Sequence, residues 1–215
     1  MAVTAVGAGA RTLQYMSLSF DVSVQEILGT LCAGGTLVLI PEALHKDLNR
    51  LCAFMARERI ARAYFPYIAL QQLATVSIAT GTRLDALEEV VSTGEQLVVS
   101  PQIREFFAAH PRARLWNMYG PSESHVVSVH RLDGDPANWG ETAAIGRPVP
   151  GFSMLVLNAN GHLVPPGIPG ELHLGGLISP GYNNLPEETA RRFLAHPLAS
   201  VVPSRKGLLY RTGDL

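Results

Sequence analysis

From Leu13 to about Leu132, short β-type runs alternate with stretches of helical periodicity, and this alternation is what most narrows the folds open to the chain. Strands separated by helices run parallel, because the chain must cross back over the sheet before it begins the next strand. The arrangement predicted is an α/β fold: a mostly parallel sheet with flanking helices. Residues 36–40 form one continuous apolar run ended by Pro41, as in a strand buried on both faces. Leu48, Leu51, Cys52, Met55 and Ala56 recur at helical spacing. A strand over 62–65 stopped by Pro66, a helix over 68–76 and a strand over 87–92 follow. Ser100 and Pro101 predict an N-cap and a first-turn proline for a helix reaching Phe107, and 115–119 predicts another strand.

From about Gly140 the texture changes. Proline and glycine become frequent and the apolar runs shorten to 154–157, 163–164 and 171–174. Asn158 to Gly161 carries a hairpin-turn signal, since asparagine and glycine tolerate positive φ. One helix is predicted over 186–193, with Glu187/Arg191 and Glu188/Arg192 spaced to pair. The chain is therefore expected to comprise an α/β subdomain over 1–135 and a smaller β-rich one over 136–215.

A formal net charge of −1 gives no electrostatic basis for binding nucleic acid or an anionic membrane. The longest apolar stretch, 27–40, is broken by three glycines and is too short to span a bilayer. Cys32 and Cys52 lack the spacing of a metal knuckle or redox pair, and both are expected to be buried reduced thiols in a cytoplasmic protein. The seven histidines are scattered without metal-ligand spacing.

Four segments read together carry the function: Phe20-Asp21-Val22-Ser23; Asn117-Met118-Tyr119-Gly120-Pro121-Ser122-Glu123-Ser124; Gly170 to Gly176 running on to Pro180-Gly181-Tyr182; and Tyr210-Arg211-Thr212-Gly213-Asp214-Leu215. In order and spacing they resemble the adenylate-forming superfamily, and within it the adenylation domains of nonribosomal peptide synthetases. The resemblance covers the chain from about Arg11 to Leu215. It implies that the first half is a flavodoxin-like α/β subdomain and the second half a distorted β-barrel subdomain, and that the chain is the central part of a domain joining an amino acid to AMP from ATP and Mg²⁺. The aminoacyl group would then pass to a peptidyl carrier protein domain bearing phosphopantetheine.

Such chemistry needs no protein nucleophile; the site must hold two anions together, stabilise charge on phosphorus and carry a cation. By resemblance Tyr119 stacks on adenine, with Asn117, Met118 and Gly120 beside it. Ser122 donates to the α-phosphate and Glu123 binds Mg²⁺; Gly94 and Glu95 line the nucleotide pocket. Asp214 takes the ribose hydroxyls, a vicinal diol that a carboxylate can bind with two hydrogen bonds. Asp21 is read as a buried carboxylate awaiting a cationic partner, the substrate ammonium; it also stands where it could cap the following helix, as could Ser23. The side-chain pocket carried across by resemblance is Asp21, Val22, Gln25, Tyr64, Val91, Thr93, Met118, Val126 and Val127. Its lining is mostly apolar and points to a small uncharged, proline-like amino acid, although Met118 and Thr93 depart from the proline-type pattern.

The family's upstream phosphate loop and its C-terminal lid have no counterpart in this sequence, so the chain by itself is expected to be inactive. Two other readings stay open: a fragment of an acyl-CoA synthetase or aryl-acid ligase, against which Asp21 counts, and a non-catalytic remnant or interaction module.

Overall fold

The structure, a computed structural model, describes residues 7–196 and 207–215. The chain divides into two compact units, the first comprising residues up to Met118 with Val129–Gly146 and the second Tyr119–Ser128 with Arg147–Leu215.

In the first unit the elements run β1 (Arg11–Gln14), α1 (Val22–Leu31), β2 (Thr36–Leu39), α2 (Leu48–Arg57), β3 (Arg62–Phe65), α3 (Tyr67–Thr80), β4 (Glu89–Thr93), α4 (Pro101–Ala109), β5 (Arg114–Tyr119) and β6 (Ser128–Leu132). The strands lie in the order β2-β1-β3-β4-β5-β6, and every pair from β2 to β5 is parallel. The predicted starts and stops reflect local chemistry. Ser100 Oγ accepts from Ile103 N at 3.2 Å and caps α4, with Pro101 in its first turn. Helix α3 runs on to Thr80, where Gly81 takes the left-handed conformation (φ 65°) that ends a helix.

The register gives the sheet two unlike faces, because residues two apart on a strand share a side. Leu13, Ala63, Phe65, Val90 and Leu115 lie on one face, and α2, α3 and α4 cover them with Leu51, Met55, Leu70, Leu73, Ile103 and Phe106 to form the core. The other face carries Gln14, Arg62, Tyr64, Glu89, Thr93 and Met118, and α1 meets it through Gln25 and Glu26. Helix α1 accordingly has its polarity turned round. Ser23, Glu26 and Thr30 are buried, while Val24, Leu28 and Leu31 are exposed.

Cys52 is buried in the core, where burial pushes its thiol pKa up, but Cys32 is exposed. The expectation of two buried thiols fails at Cys32: it is the C-cap of α1, whose apolar stripe points outward, so apolar neighbours in sequence do not bury it.

His110 ties the end of α4 to the loop before β4. Leu84 N can only donate, so Nε2 is the acceptor (3.0 Å) and Nδ1 carries the proton that it gives to Phe106 O (2.7 Å). Burial holds this imidazole below its ordinary pKa. The unfolded chain therefore binds the proton better, and the stabilisation present above the ordinary histidine value is lost as pH falls through the depressed one. His110→Ala should cost about 1–3 kcal/mol at neutral pH by orphaning the Leu84 N–H. Urea melts at pH 7.5 and 5.5 should show that penalty shrinking in acid; a penalty independent of pH would refute the assignment.

In the second unit, β7 (Arg147–Pro148) is followed by β8 (Phe152–Leu157), β9 (Glu171–Gly176), α5 (Pro186–Arg192), β10 (Phe193–Ala195) and β11 (Leu208–Arg211). An antiparallel sheet has the order β10-β11-β9-β8. Val127, Leu172, Leu174, Ile178, Phe193 and Tyr210 form its core. The turn at 158–161 forms as its chemistry predicts: Asn158 Oδ1 accepts from Asn160 N and His162 N, and Gly161 has φ 76°. Residues 163–164 make no strand, only a bridge between Leu163 and Leu157. In α5, Glu188 takes both arginines, Arg191 and Arg192, so the anticipated Glu187/Arg191 pair is replaced by one three apart.

Candidate functional site

In the first unit, four of the expected pocket residues share the polar sheet face at the carboxyl ends of the strands, where open α/β sheets place ligands. Tyr64 stands opposite Val91, and Thr93 opposite Met118. Tyr64 and Met118 are each 2% exposed and Val91 is fully buried. Burial pushes the Tyr64 phenol up to about 12. Helix α1 brings Gln25 to this face, its Nε2 lying 3.6 Å from the Met118 sulfur, and Val22 is buried at the helix start.

Asp21 stands at the N-cap of α1 but makes no capping bond with its side chain, and it is half-buried rather than buried. The start of the helix is held instead by Ser23, whose hydroxyl donates to Phe20 O at 2.7 Å. The fully buried carboxylate on this helix is Glu26, which the sequence reading passed over. Its oxygens accept from Tyr15 N (3.1 Å), Met16 N (3.2 Å) and Gln14 Nε2 (3.2 Å). Burial pushes its carboxyl up to about 7 against the pull of those donors. Charged residues are rarely buried without a partner, so Glu26 was readable only as helix surface until the orientation of α1 was known.

Gly94 follows β4 with φ 85°, a conformation glycine adopts freely, and the exposed Glu95 beside it accepts from Ile68 N at 3.4 Å. Asn117, on the opposite face of β5 from Met118, is buried and donates to Ala144 O at 2.9 Å.

In the second unit the Tyr119–Val127 segment closes on itself. Ser124 N and His125 N donate to Pro121 O, and Val127 N to Tyr119 O. A side chain on Gly120 would overlap the His125 carbonyl, so only glycine fits where the loop folds back. Ser122 is exposed at the turn, Val126 is half-buried and Val127 is fully buried in the core. Glu123 is held firmly: Tyr182 OH donates to its carboxylate at 2.5 Å, the Tyr210 phenol shares in the contact, and Ser179 N donates to the Glu123 carbonyl at 2.7 Å. Tyr119 OH donates to Asp214 at 2.5 Å, joining two motifs 95 residues apart. Burial, then that bond, raises the Tyr119 phenol pKa. Leu172 N donates to the Asp214 carbonyl at 2.8 Å, which fixes the end of the last motif against β9.

The family profile of AMP-binding enzymes matches residues 1–182. The chain belongs to the AMP-binding enzyme family. Tyrocidine synthase 2 of Brevibacillus parabrevis is 35% identical over 206 residues, which are 95% of this chain and 6% of that protein. Among solved structures IdnL1 is similar with a TM-score of 0.82 and 28% identity, over 97% of this chain and 42% of that one. The N-terminal subdomain of Klebsiella oxytoca NpsA, solved in complex with 3-hydroxybenzoyl-AMSN, is similar with a TM-score of 0.78 and 26% identity, over 97% and 51% of the two chains. The chain thus spans a small part of the curated relative and about half of each solved one.

Among the described residues no three His, Cys, Asp or Glu side chains gather as a metal site. Magnesium, however, is commonly held by one or two carboxylates with the remaining ligands drawn from phosphates and water. Glu123, oriented by Tyr182, suits that arrangement.

Proposed function

We propose that this chain is the central part of an amino-acid-adenylating domain of a nonribosomal peptide synthetase. The domain joins an amino-acid carboxylate to the α-phosphate of ATP with release of pyrophosphate. It then passes the aminoacyl group to a phosphopantetheine-bearing carrier domain. The observation that supports nucleotide use is the Tyr119–Asp214 hydrogen bond, because it puts an aromatic ring and a carboxylate side by side, as stacking on a base and binding of its ribose would require.

In this reading each residue takes the task that the resemblance implies. Tyr119 stacks on the base with its ring orientation fixed through Asp214, while Asn117, Met118 and Gly120 support it and Gly94 and Glu95 line the nucleotide pocket. Ser122, exposed on a stiff turn, donates to the α-phosphate. Glu123 holds Mg²⁺, which when bound neutralises charge building on the phosphates. Asp21 takes the substrate ammonium. Val22, Gln25, Tyr64, Val91, Thr93, Met118, Val126 and Val127 offer the substrate side chain no full charge, which favours a small uncharged, proline-like amino acid. Among the described residues no helix is long and apolar enough to cross a membrane, and a cytoplasmic setting accords with this chemistry.

The test is binding of a fluorescent ATP analogue and of a panel of amino acids to the purified chain. Asp214→Ala should weaken nucleotide binding by about ten- to a hundredfold, since it removes hydrogen bonds to a charged acceptor. Nucleotide affinity indifferent to that change would sink the reading. The aryl-acid alternative draws support from the aroyl adenylate analogue in NpsA. Asp21→Ala separates the two: it should abolish amino-acid binding, and unchanged affinity would favour an aryl acid.

A further inference from the structure

Glu26 is the fully buried carboxylate of α1, and the partners of its oxygens are N–H groups. Burying a carboxylate is costly unless hydrogen bonds satisfy it, and here three N–H donors do so. They come from the last residue of β1, through the Gln14 amide, and from the two residues that follow it, through the Tyr15 and Met16 backbone. The Gln14 amide also donates to Met16 O at 2.6 Å, so residues 14–16 are tied both to themselves and to the helix.

Between Met16 and α1 lies a link of five residues ending in Asp21. Its internal bonds are short-range: Phe20 N to Ser17 O, the Ser17 and Ser19 hydroxyls to one another, and Ser23 to Phe20 O. Leu18 and Phe20 are 74% and 61% exposed, so burial contributes little to holding it. Glu26 fixes the two ends of this link to each other. The next residue back, Gln25, reaches Met118 on β5.

We propose that Glu26 is a positioning residue for the amino-acid site: it clamps the end of β1 to α1 and thereby sets where Asp21 presents its carboxylate. This rests on the reading of Asp21 as the ammonium ligand. Glu26 touches no substrate; it acts through the 17–21 link.

The test is amide hydrogen exchange on the purified chain, wild type against Glu26→Ala and the shape-conserving Glu26→Gln. Residues 14–21 should exchange at least about tenfold faster in Glu26→Ala, with β3, β4 and β5 unchanged. Glu26→Gln keeps one acceptor and should fall between, and it stands in if the alanine variant does not fold. Exchange over 14–21 that is unchanged, or that rises no more than in the core, overturns the clamp whatever the substrate. Titration with proline, alanine, valine and leucine adds the functional arm: Glu26→Gln should weaken binding while leaving affinity for the ATP analogue as it was. If Asp21→Ala abolishes amino-acid binding but a loosened Glu26→Gln does not weaken it, the proposal falls and the Asp21 reading stands. If Asp21→Ala itself has no effect, the Asp21 reading falls, and Glu26 is then a structural clamp alone.

Discussion

Replacing Glu89 with alanine is expected to destabilise the first unit by about 3–5 kcal/mol. Glu89 and Arg62 face each other in the register of β3 and β4, with Arg62 Nε 2.9 Å from the carboxylate and side chains only 3% and 7% exposed. An exposed ion pair is worth little because water already solvates both partners. Here both have left water, and removing one leaves a guanidinium in a buried setting with its main counter-ion gone. The expectation is not that the pair is a net source of stability. Converting both residues to apolar ones of similar size, as in Arg62→Met with Glu89→Leu, should recover most of what the single change loses. Urea denaturation followed by circular dichroism measures both. A loss under about 1 kcal/mol for Glu89→Ala would mean that water reaches the pair and that the polar sheet face is wetter than the structure indicates.

Glu26 should make the folded chain less stable as the solution becomes more alkaline, by about 3 kcal/mol in all. Its folded pKa is raised from 4.5 to about 7 by burial, so the folded state binds the proton more tightly than the unfolded one. The sign follows: this favourable contribution is full below the unfolded value and is lost as pH rises through the folded one. His110 works in the other direction over the neighbouring acid range, because its folded pKa is depressed. The wild-type profile is therefore flatter than either group alone would give, and the single variant isolates the term. Between pH 5 and 8 Glu26→Gln should gain on the wild type steadily. Parallel profiles for the two proteins would place the Glu26 pKa near that of an ordinary carboxylate.

Much of this arrangement was legible in the sequence because it is set by local chemistry. Prolines at 41, 66 and 101, the asparagine–glycine turn at 158–161 and the β/α alternation act within a few residues and depend on nothing distant. The motif residues Tyr119 and Asp214 could be paired only through family resemblance, yet the structure does bond them. What sequence could not give is which way α1 faces. Its apolar residues Val24, Leu28 and Leu31 stay exposed, whereas the sheet face it meets carries Gln14, Arg62, Tyr64 and Glu89. The choice is made by tertiary partners, so helix and strand patterns read one at a time pick the wrong side. The same blindness moved the buried carboxylate to Asp21 from Glu26 and placed Cys32 indoors. Glu188 drawing in both Arg191 and Arg192 is a smaller case, where side-chain reach decided between two spacings of similar strength.

Strand β5 places Met118 and Tyr119 side by side in the chain but on opposite faces, and their neighbours Trp116 and Asn117 alternate in the same way. Under the proposed reading, the Met118 side chain helps choose the amino acid and also borders the nucleotide, which the Tyr119 ring holds. A lineage can then exchange the side chain at 118 and acquire a new building block while the Tyr119 ring keeps its place on the base, which every such enzyme must retain. Insertions and deletions have no such freedom, for a shift of a single residue would turn both side chains to the wrong faces at once. Diversity at this strand should therefore accumulate by substitution, never by change of length.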